Sequence, residues 1–226
     1  AQEFLEPLAQ RAAAANTTLI TGAPFRPPNS ALYYNSVVAL GYGKGIYHKQ
    51  RLVPFGEYVP LENLLRGLID FFDLPMSSFS PGPPDQMPLR AGAFRIAPFI
   101  CYEIVYGDLV ASSARDADLL ITISNDSWFG DSIGPWQHLQ IAQMRGRENG
   151  RFVLRATNNG ISAIIDHQGR IVKRTEQFVA TMLTGEAEVM LGNTPFSRFG
   201  SSPIIAGCFI GLLLMALMYV GFWRDN

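Results

Sequence analysis

Of the 226 residues only two are cysteines, Cys101 and Cys208, and only the first stands where a nucleophile would. An apolar strand, FRIAPFI at 94–100, runs directly into Cys101, and EIVYGDLVASSARD follows with apolar residues at helical spacing. A cysteine at a strand-to-helix junction meets the unpaired N–H groups and dipole of the helix end. Both favour the thiolate, the form that attacks carbonyl carbon. The backbone N–H of Tyr102 would then lie beside the attacked carbonyl, as the residue after a nucleophile elbow does in other α/β acyl-transfer enzymes. Position alone leaves a second reading open, in which Cys101 is a small core residue closing an apolar strand.

Two other strings carry chemistry-bearing side chains. YHKQRLVPFGEYVP at 47–60 packs His48, Lys49, Arg51 and Glu57 into one stretch beginning at a strand end. A lysine beside a thiolate and a forming oxyanion can stabilise both; Lys49 and Glu57 could equally form an ordinary surface ion pair. NDSWFG at 125–130 follows a buried strand, where α/β enzymes place site loops, although Trp128 and Phe129 would also suit the edge of a core. His138 reads as a solvated or satisfied residue on a helix.

These residues need elements to position them. Residues 3–15 read as a helix, TLITGAPF as a strand, and Tyr33–Tyr42 and Gly45–Lys49 as two further strands. Leu61–Phe72 has helical spacing, and the Pro- and Ser-rich segment at 71–88 reads as a long loop. Beyond Cys101, LLITISND at 119–126 is a buried strand and WQHLQIAQMRGREN at 136–149 a helix; FVLRATN, ISAIID, GRIVKRT and FVATML read as successive strands. Interleaved helices and strands followed by a run of strands predict an α/β fold with a strand-rich sandwich.

Composition narrows the partners. A net charge of −1 with scattered Lys and Arg removes the basic footprint of nucleic-acid binding. A disulfide between Cys101 and Cys208 would drag an apolar helix out of place, so none is expected. Between Arg198 and Arg224 no residue is charged, and Pro203–Trp223 would span roughly 30 Å as a helix, the thickness of a bilayer core. This predicts a transmembrane helix over most of 198–226, preceded by one domain at 1–197. Gly207, Gly211 and Ala216 would admit a neighbouring helix closely, and with Arg198 before the helix and Arg224 after it the charges leave its direction across a membrane open.

The order HKQRLVPFGEYVP, ICYEIVYGDL, ITISNDSWFG and QHLQIAQMRGRENGRFVLRATNNGISAIIDHQGRI resembles the nitrilase, or carbon-nitrogen hydrolase, superfamily. PFGEYVP and CYEIVYGDL resemble in particular its apolipoprotein N-acyltransferase branch, and a transmembrane helix after the domain fits the same branch. The resemblance implies an αββα sandwich with a Glu–Lys–Cys triad, in which the Glu is general base, the Lys stabilises the oxyanion and the Cys forms a thioester. Carried over, the Cys is Cys101 and the Lys is Lys49; Glu57 matches a glutamate kept beside the site, and Tyr102 and Glu103 flank the nucleophile. No metal or organic cofactor is implied.

Implied too is an acyl donor resembling phosphatidylethanolamine, a diacylglyceryl apolipoprotein as acceptor, and a catalytic domain on the periplasmic side of the inner membrane of a multi-pass protein. Phe71, Phe72, Leu74, Met76 and Phe79, with Trp128, are the apolar side chains expected to meet the lipid. The family's base glutamate lies on a first strand upstream of the helix with which this sequence opens, and no residue here matches it. The reading is therefore of a carboxyl-terminal portion without its first strand. Alternatives are a membrane-anchored hydrolase that uses water as second nucleophile, a Cys–His enzyme with His138 or His48 as base, and a non-catalytic binding module.

Overall fold

The computed structural model describes residues 2–58 and 79–224. Its elements are α1 (Gln2–Ala14), β1 (Thr18–Phe25), β2 (Tyr34–Gly41), β3 (Gly43–Lys44), β4 (Ile46–His48), β5 (Leu89–Ala91) and β6 (Phe94–Ile100), then a 3-10 turn at Cys101–Val105. They continue with α2 (Gly107–Ala114), β7 (Leu119–Asn125), a second 3-10 turn at Asp126–Phe129, α3 (Gly134–Asn149), β8 (Val153–Asn158), β9 (Ala163–Ile165), β10 (Ile171–Arg174), α4 (Pro195–Phe199) and α5 (Ser202–Arg224). The helix expected at Leu61–Phe72 lies outside the described residues.

Alternation along the central strands builds two cores at once. In β6, Ala97 and Phe99 face one core and Ile96 and Ile100 the other; in β7, Leu120 faces the first and Leu119 and Ile121 the second. Side chains alternate across a strand, so a run that is apolar on both faces must be covered on both. The first core lies against α2 and α3, through Val110, Ala114, Leu139 and Ala142. The second receives Val37, Ala39 and Tyr47 from the other sheet. The layers are thus helix, three-stranded sheet β1-β2-β4, seven-stranded sheet β10-β9-β8-β7-β6-β5-β3, and helices, with α1 against β1 and β2. Fully buried Phe99, Leu120 and Leu139 each contribute about 1.5–3 kcal/mol by leaving water.

β6, β7 and β8 run parallel, so their carboxyl ends, and the loops after them, gather at one end of the sheet. Cys101 and Asp126 begin two of those loops. Between β7 and β8, α3 opens with Pro135 in its first turn and stops at Gly150, whose φ of 60° is the left-handed conformation that ends helices.

FVATML is not a strand. Phe178 takes a left-handed φ of 62° that breaks the extended run, and Val179 and Met182 are exposed. The chain instead crosses back irregularly, packing Leu183, Ala187 and Met190 on the inter-sheet core. Arg151 fastens its far end, donating to the Ala117 carbonyl at 2.9 Å and to the Gly192 carbonyl at 2.7 Å.

The apolar helix is present as α5. Its 23 residues would extend about 34 Å, the window Ser202–Tyr219 has a mean hydropathy of 2.0, and none of that window is buried. Its first turn is tied to the domain: the Asp108 carboxylate at the start of α2 accepts from the backbone N–H of Ser201 at 2.8 Å and from its hydroxyl at 2.6 Å. Arg115 adds a hydrogen bond to the Ser197 carbonyl at 2.6 Å.

Candidate active site

Cys101 follows β6 in a conformation that the sequence did not suggest. Its φ is 52°, in the left-handed region, where a non-glycine residue costs about 1–3 kcal/mol. The five residues Cys101–Val105 form only a 3-10 turn, and the first α-helix starts at Gly107. The expected helix-end stabilisation of the thiolate is therefore replaced by a strained elbow, which turns a half-buried thiol out of the strand. Tyr102, next in the chain, is 39% exposed and packs edge-on against Tyr106 with centroids 5.4 Å apart.

Glu103 is fully buried beneath that elbow and is the residue that joins the two sheets. One carboxylate oxygen accepts from the Ile100 N–H at 2.8 Å. The other accepts from the Gln50 N–H at 2.7 Å, the Arg51 N–H at 3.2 Å and the Tyr47 hydroxyl at 2.9 Å. Burial pushes its carboxyl up, and these four donors pull it back. Burial, then the neighbouring Glu103 charge, raises Tyr47 well above the usual phenol range.

Through Glu103 the loop after β4 is held to the Cys101 turn, and that loop carries Lys49. The lysine is buried, 1% exposed, and its Nζ donates to Glu57 at 2.6 Å. The surface ion pair weighed from sequence is thus an interior one. Glu57 also accepts from Asn35 Nδ2 and from the Val53 N–H, both at 2.8 Å. The Lys49 backbone is gripped on both sides, donating to the Asn35 carbonyl at 2.8 Å and accepting from Gly82 at 2.7 Å. Only glycine fits at position 82, because a Cβ there would overlap the His48 backbone.

A second buried cluster lies behind Cys101. Asp126 Oδ2 accepts from Arg155 Nη2 at 2.5 Å, and its Oδ1 from the Ser124 hydroxyl at 2.5 Å, with His138 Nδ1 3.1 Å away. His138 Nε2 lies 3.1 Å from the Cys101 carbonyl oxygen. Burial raises Asp126, but the contact with His138, the Arg155 charge and the Ser124 hydroxyl outweigh it and hold the carboxyl below its usual range. Gly160 closes the cluster: a Cβ there would overlap the Asp126 side chain.

His138 is therefore satisfied but not solvated, being 5% exposed, and its Nε2 meets a backbone carbonyl. His48 is elsewhere, bonded through Nδ1 to the Ser36 hydroxyl at 2.7 Å and stacked on Tyr34. Asp126 and Arg155 were missed as site residues from sequence. The available signal was Arg155 itself, a charge inside an apolar strand that has to be paired when buried.

The apolar side chains divide. Trp128 is 77% exposed on the loop after β7 and is no part of a core edge. Phe79 stacks on Tyr33 with centroids 5.0 Å apart, and its N–H donates to the Glu57 carbonyl at 3.0 Å. Phe71, Phe72, Leu74 and Met76 lie outside the described residues. Among the described residues no group of three or more His, Cys, Asp or Glu side chains could hold a metal ion.

A four-layer αββα sandwich with a cysteine elbow at the end of a parallel strand is a narrow class. The chain belongs to the carbon-nitrogen hydrolase family, whose sequence profile matches residues 1–194. Curated relatives called apolipoprotein N-acyltransferase include those of Azotobacter vinelandii, 52% identical over 96% of this chain, and Pseudomonas aeruginosa, 51% identical over 96%. One from Pasteurella multocida is 43% identical over 98%. The chain spans 43% of the length of each. Among solved structures, the Caenorhabditis elegans NitFhit protein matches with a TM-score of 0.59 at 18% identity over 77% of this chain and 43% of its own. A carbon-nitrogen hydrolase from Helicobacter pylori matches with a TM-score of 0.55 at 18% identity, over 77% of this chain and 62% of its own. These two likenesses concern the fold.

Proposed function

We propose that residues 1–197 are the catalytic domain of an apolipoprotein N-acyltransferase and that 198–226 supply one of its membrane helices. The Cys101 thiolate attacks the ester carbonyl of a phospholipid, phosphatidylethanolamine-like, and the tetrahedral intermediate collapses to a Cys101 thioester. The departing lysophospholipid alkoxide takes up a proton. The α-amine of the diacylglyceryl cysteine of an apolipoprotein then attacks the thioester, loses a proton and releases the thiolate.

Lys49 supplies positive charge to the oxygen that becomes negative in both tetrahedral intermediates, with the Tyr102 N–H as second donor. Glu57 orients the lysine. Glu57 and Glu103 are each committed to several donors, so neither is free to shuttle the protons; that role falls to a glutamate in the part of the relatives' length that these residues do not cover. Trp128 and Phe79, with Phe71, Phe72, Leu74 and Met76, offer apolar surface to the acyl chains. The domain sits on the periplasmic side of the inner membrane in a multi-pass protein.

The observation that carries this reading is the buried Lys49–Glu57 pair fastened through Glu103 to the Cys101 elbow. The family also favours a second reading, transfer of the acyl group to water. Both begin with a thioester, so the first experiment concerns Cys101 in the intact membrane enzyme. Cys101→Ala and Cys101→Ser abolish the mass increase of one acyl chain on incubation with phospholipid, while Cys208→Ala, on the exposed face of α5, retains it. Acylation persisting in Cys101→Ala would sink the assignment. Adding a diacylated lipopeptide then separates the readings, since a transferase leaves the chain on the amine and a hydrolase releases fatty acid.

A further inference from the structure

The cluster behind Cys101 takes no part in the chemistry just described, yet it ends on the nucleophile's own backbone. His138 Nε2 lies 3.1 Å from the Cys101 carbonyl oxygen, which can only accept, so the proton of this hydrogen bond is on Nε2. The other ring nitrogen leaves two possibilities. Nδ1 either donates to Asp126 Oδ1 at 3.1 Å, giving an imidazolium, or accepts from Arg155 Nη2 at 3.2 Å, giving a neutral ring. Both put a proton on Nε2.

The ring cannot turn freely. Asp126 and Arg155 hold one edge, Arg155 is itself fixed by a hydrogen bond from Nε to the Ile161 carbonyl at 3.1 Å, and Phe129 meets the ring edge-on with centroids 6.0 Å apart. With Nε2 committed to a carbonyl, His138 is not the base for the thiol.

A trans peptide is planar, and its C=O and N–H point in opposite directions. Gripping the Cys101 carbonyl therefore fixes the direction of the Tyr102 N–H, which belongs to the same peptide unit. The left-handed φ of 52° at Cys101 makes this grip necessary, because an alanine-like residue would relax to other backbone angles. We propose that His138 is a positioning residue that aims the Tyr102 N–H at the oxyanion by locking the Cys101–Tyr102 peptide plane from behind. The inference rests on Cys101 being the acylated thiol.

Two reactions of the same thiol separate this role from others. Acylation passes through an oxyanion; alkylation by iodoacetamide does not. In the full-length membrane enzyme in detergent, His138→Met lowers the single-turnover rate of Cys101 acylation by about 10²–10³, the usual cost of one oxyanion donor, and leaves alkylation within about twofold of wild type. His138→Gln, whose amide N–H has similar reach, recovers about tenfold or more of the acylation rate, as a restored hydrogen bond should.

Acylation unchanged in His138→Met, alkylation falling in parallel with acylation, or His138→Gln no better than His138→Met would each overturn the proposal. Should His138→Met fail to fold, the ¹⁵N spectrum of histidine-labelled wild type decides: a protonated Nε2 is expected, and a bare Nε2 would overturn it. Failure of wild type itself to acylate Cys101 would instead refute the underlying reading of the site.

Discussion

Gln50 donates its backbone N–H to Glu103 at 2.7 Å, and through that bond the loop carrying Lys49 is joined to the turn carrying Cys101. The two functional groups come from different sheets, so neither sheet alone fixes their separation. A single carboxylate, with one oxygen on each side of the divide, does so.

Glu103→Gln keeps the size of the side chain but replaces one acceptor with an NH2 that confronts backbone donors. Leaving a buried donor unsatisfied costs about 1–3 kcal/mol, so the melting temperature falls. Acylation of Cys101 falls further than alkylation, because Lys49 loses its register with the elbow. Unequal loss of the two rates, measured on one preparation, checks the point; equal loss would reduce Glu103 to a fold residue.

In the proposed mechanism Lys49→Met removes an oxyanion donor, a loss of about 2.7–4 kcal/mol in transition-state stabilisation, or roughly 10²–10³ in rate. The lysine is buried against Glu57, so the same change strands a carboxylate and costs about 3 kcal/mol of stability. Combining it with Glu57→Gln restores most of the stability and none of the rate. Lys49→Arg restores neither, since a planar guanidinium does not fit a compact ammonium site. Thermal unfolding and turnover of the three variants and wild type provide the comparison.

Asp126 gives a pH dependence with a definite sign. Its folded carboxyl is held below the unfolded value, so the stability that it contributes is present above the ordinary Asp range and is lost as pH falls through the lower folded value. The difference in melting temperature between wild type and Asp126→Asn should be flat above about pH 5 and shrink below about pH 4. Glu103, raised by burial, has the opposite sign, but it is present in both proteins and cancels in the difference. A difference that grows toward acid would contradict the assignment of Asp126 as the ionised partner of Arg155.

Asp108→Ala cuts the carboxylate clasp on Ser201 at the head of α5. A carboxylate at a helix start contributes about 0.3–1 kcal/mol, so the domain remains folded. Turnover of donor lipid presented in vesicles should drop by more than alkylation of Cys101 by iodoacetamide, since in the proposed reading only the first depends on how the domain stands on α5. Equal rates with both reagents in wild type and variant would show that the clasp has no such bearing.

Much of this architecture was legible in the sequence because it rests on period. FRIAPFI and LLITISN alternate between two covered faces, and both the strands and the place of Cys101 at a strand end follow from that. Lys49 and Glu57 were legible as a pair by proximity in one loop, although their burial was not. The elbow at Cys101 left no local sign, because a left-handed cysteine looks like any other cysteine until Glu103 and His138 are in place, and His138 is 37 residues away. FVATML failed for a related reason: β propensity describes fit to a neighbouring strand, and this segment has none.

Gly160 carries the consequence of this arrangement into heredity. A glycine codon becomes an alanine codon by one base change, and the methyl group so gained would have to occupy the space of the Asp126 side chain. The displaced carboxylate would release Arg155 and His138, and with them the carbonyl of Cys101. A chain could thus keep Cys101, Lys49 and Glu57 unchanged and still lose the backbone geometry of the elbow through one added methyl group.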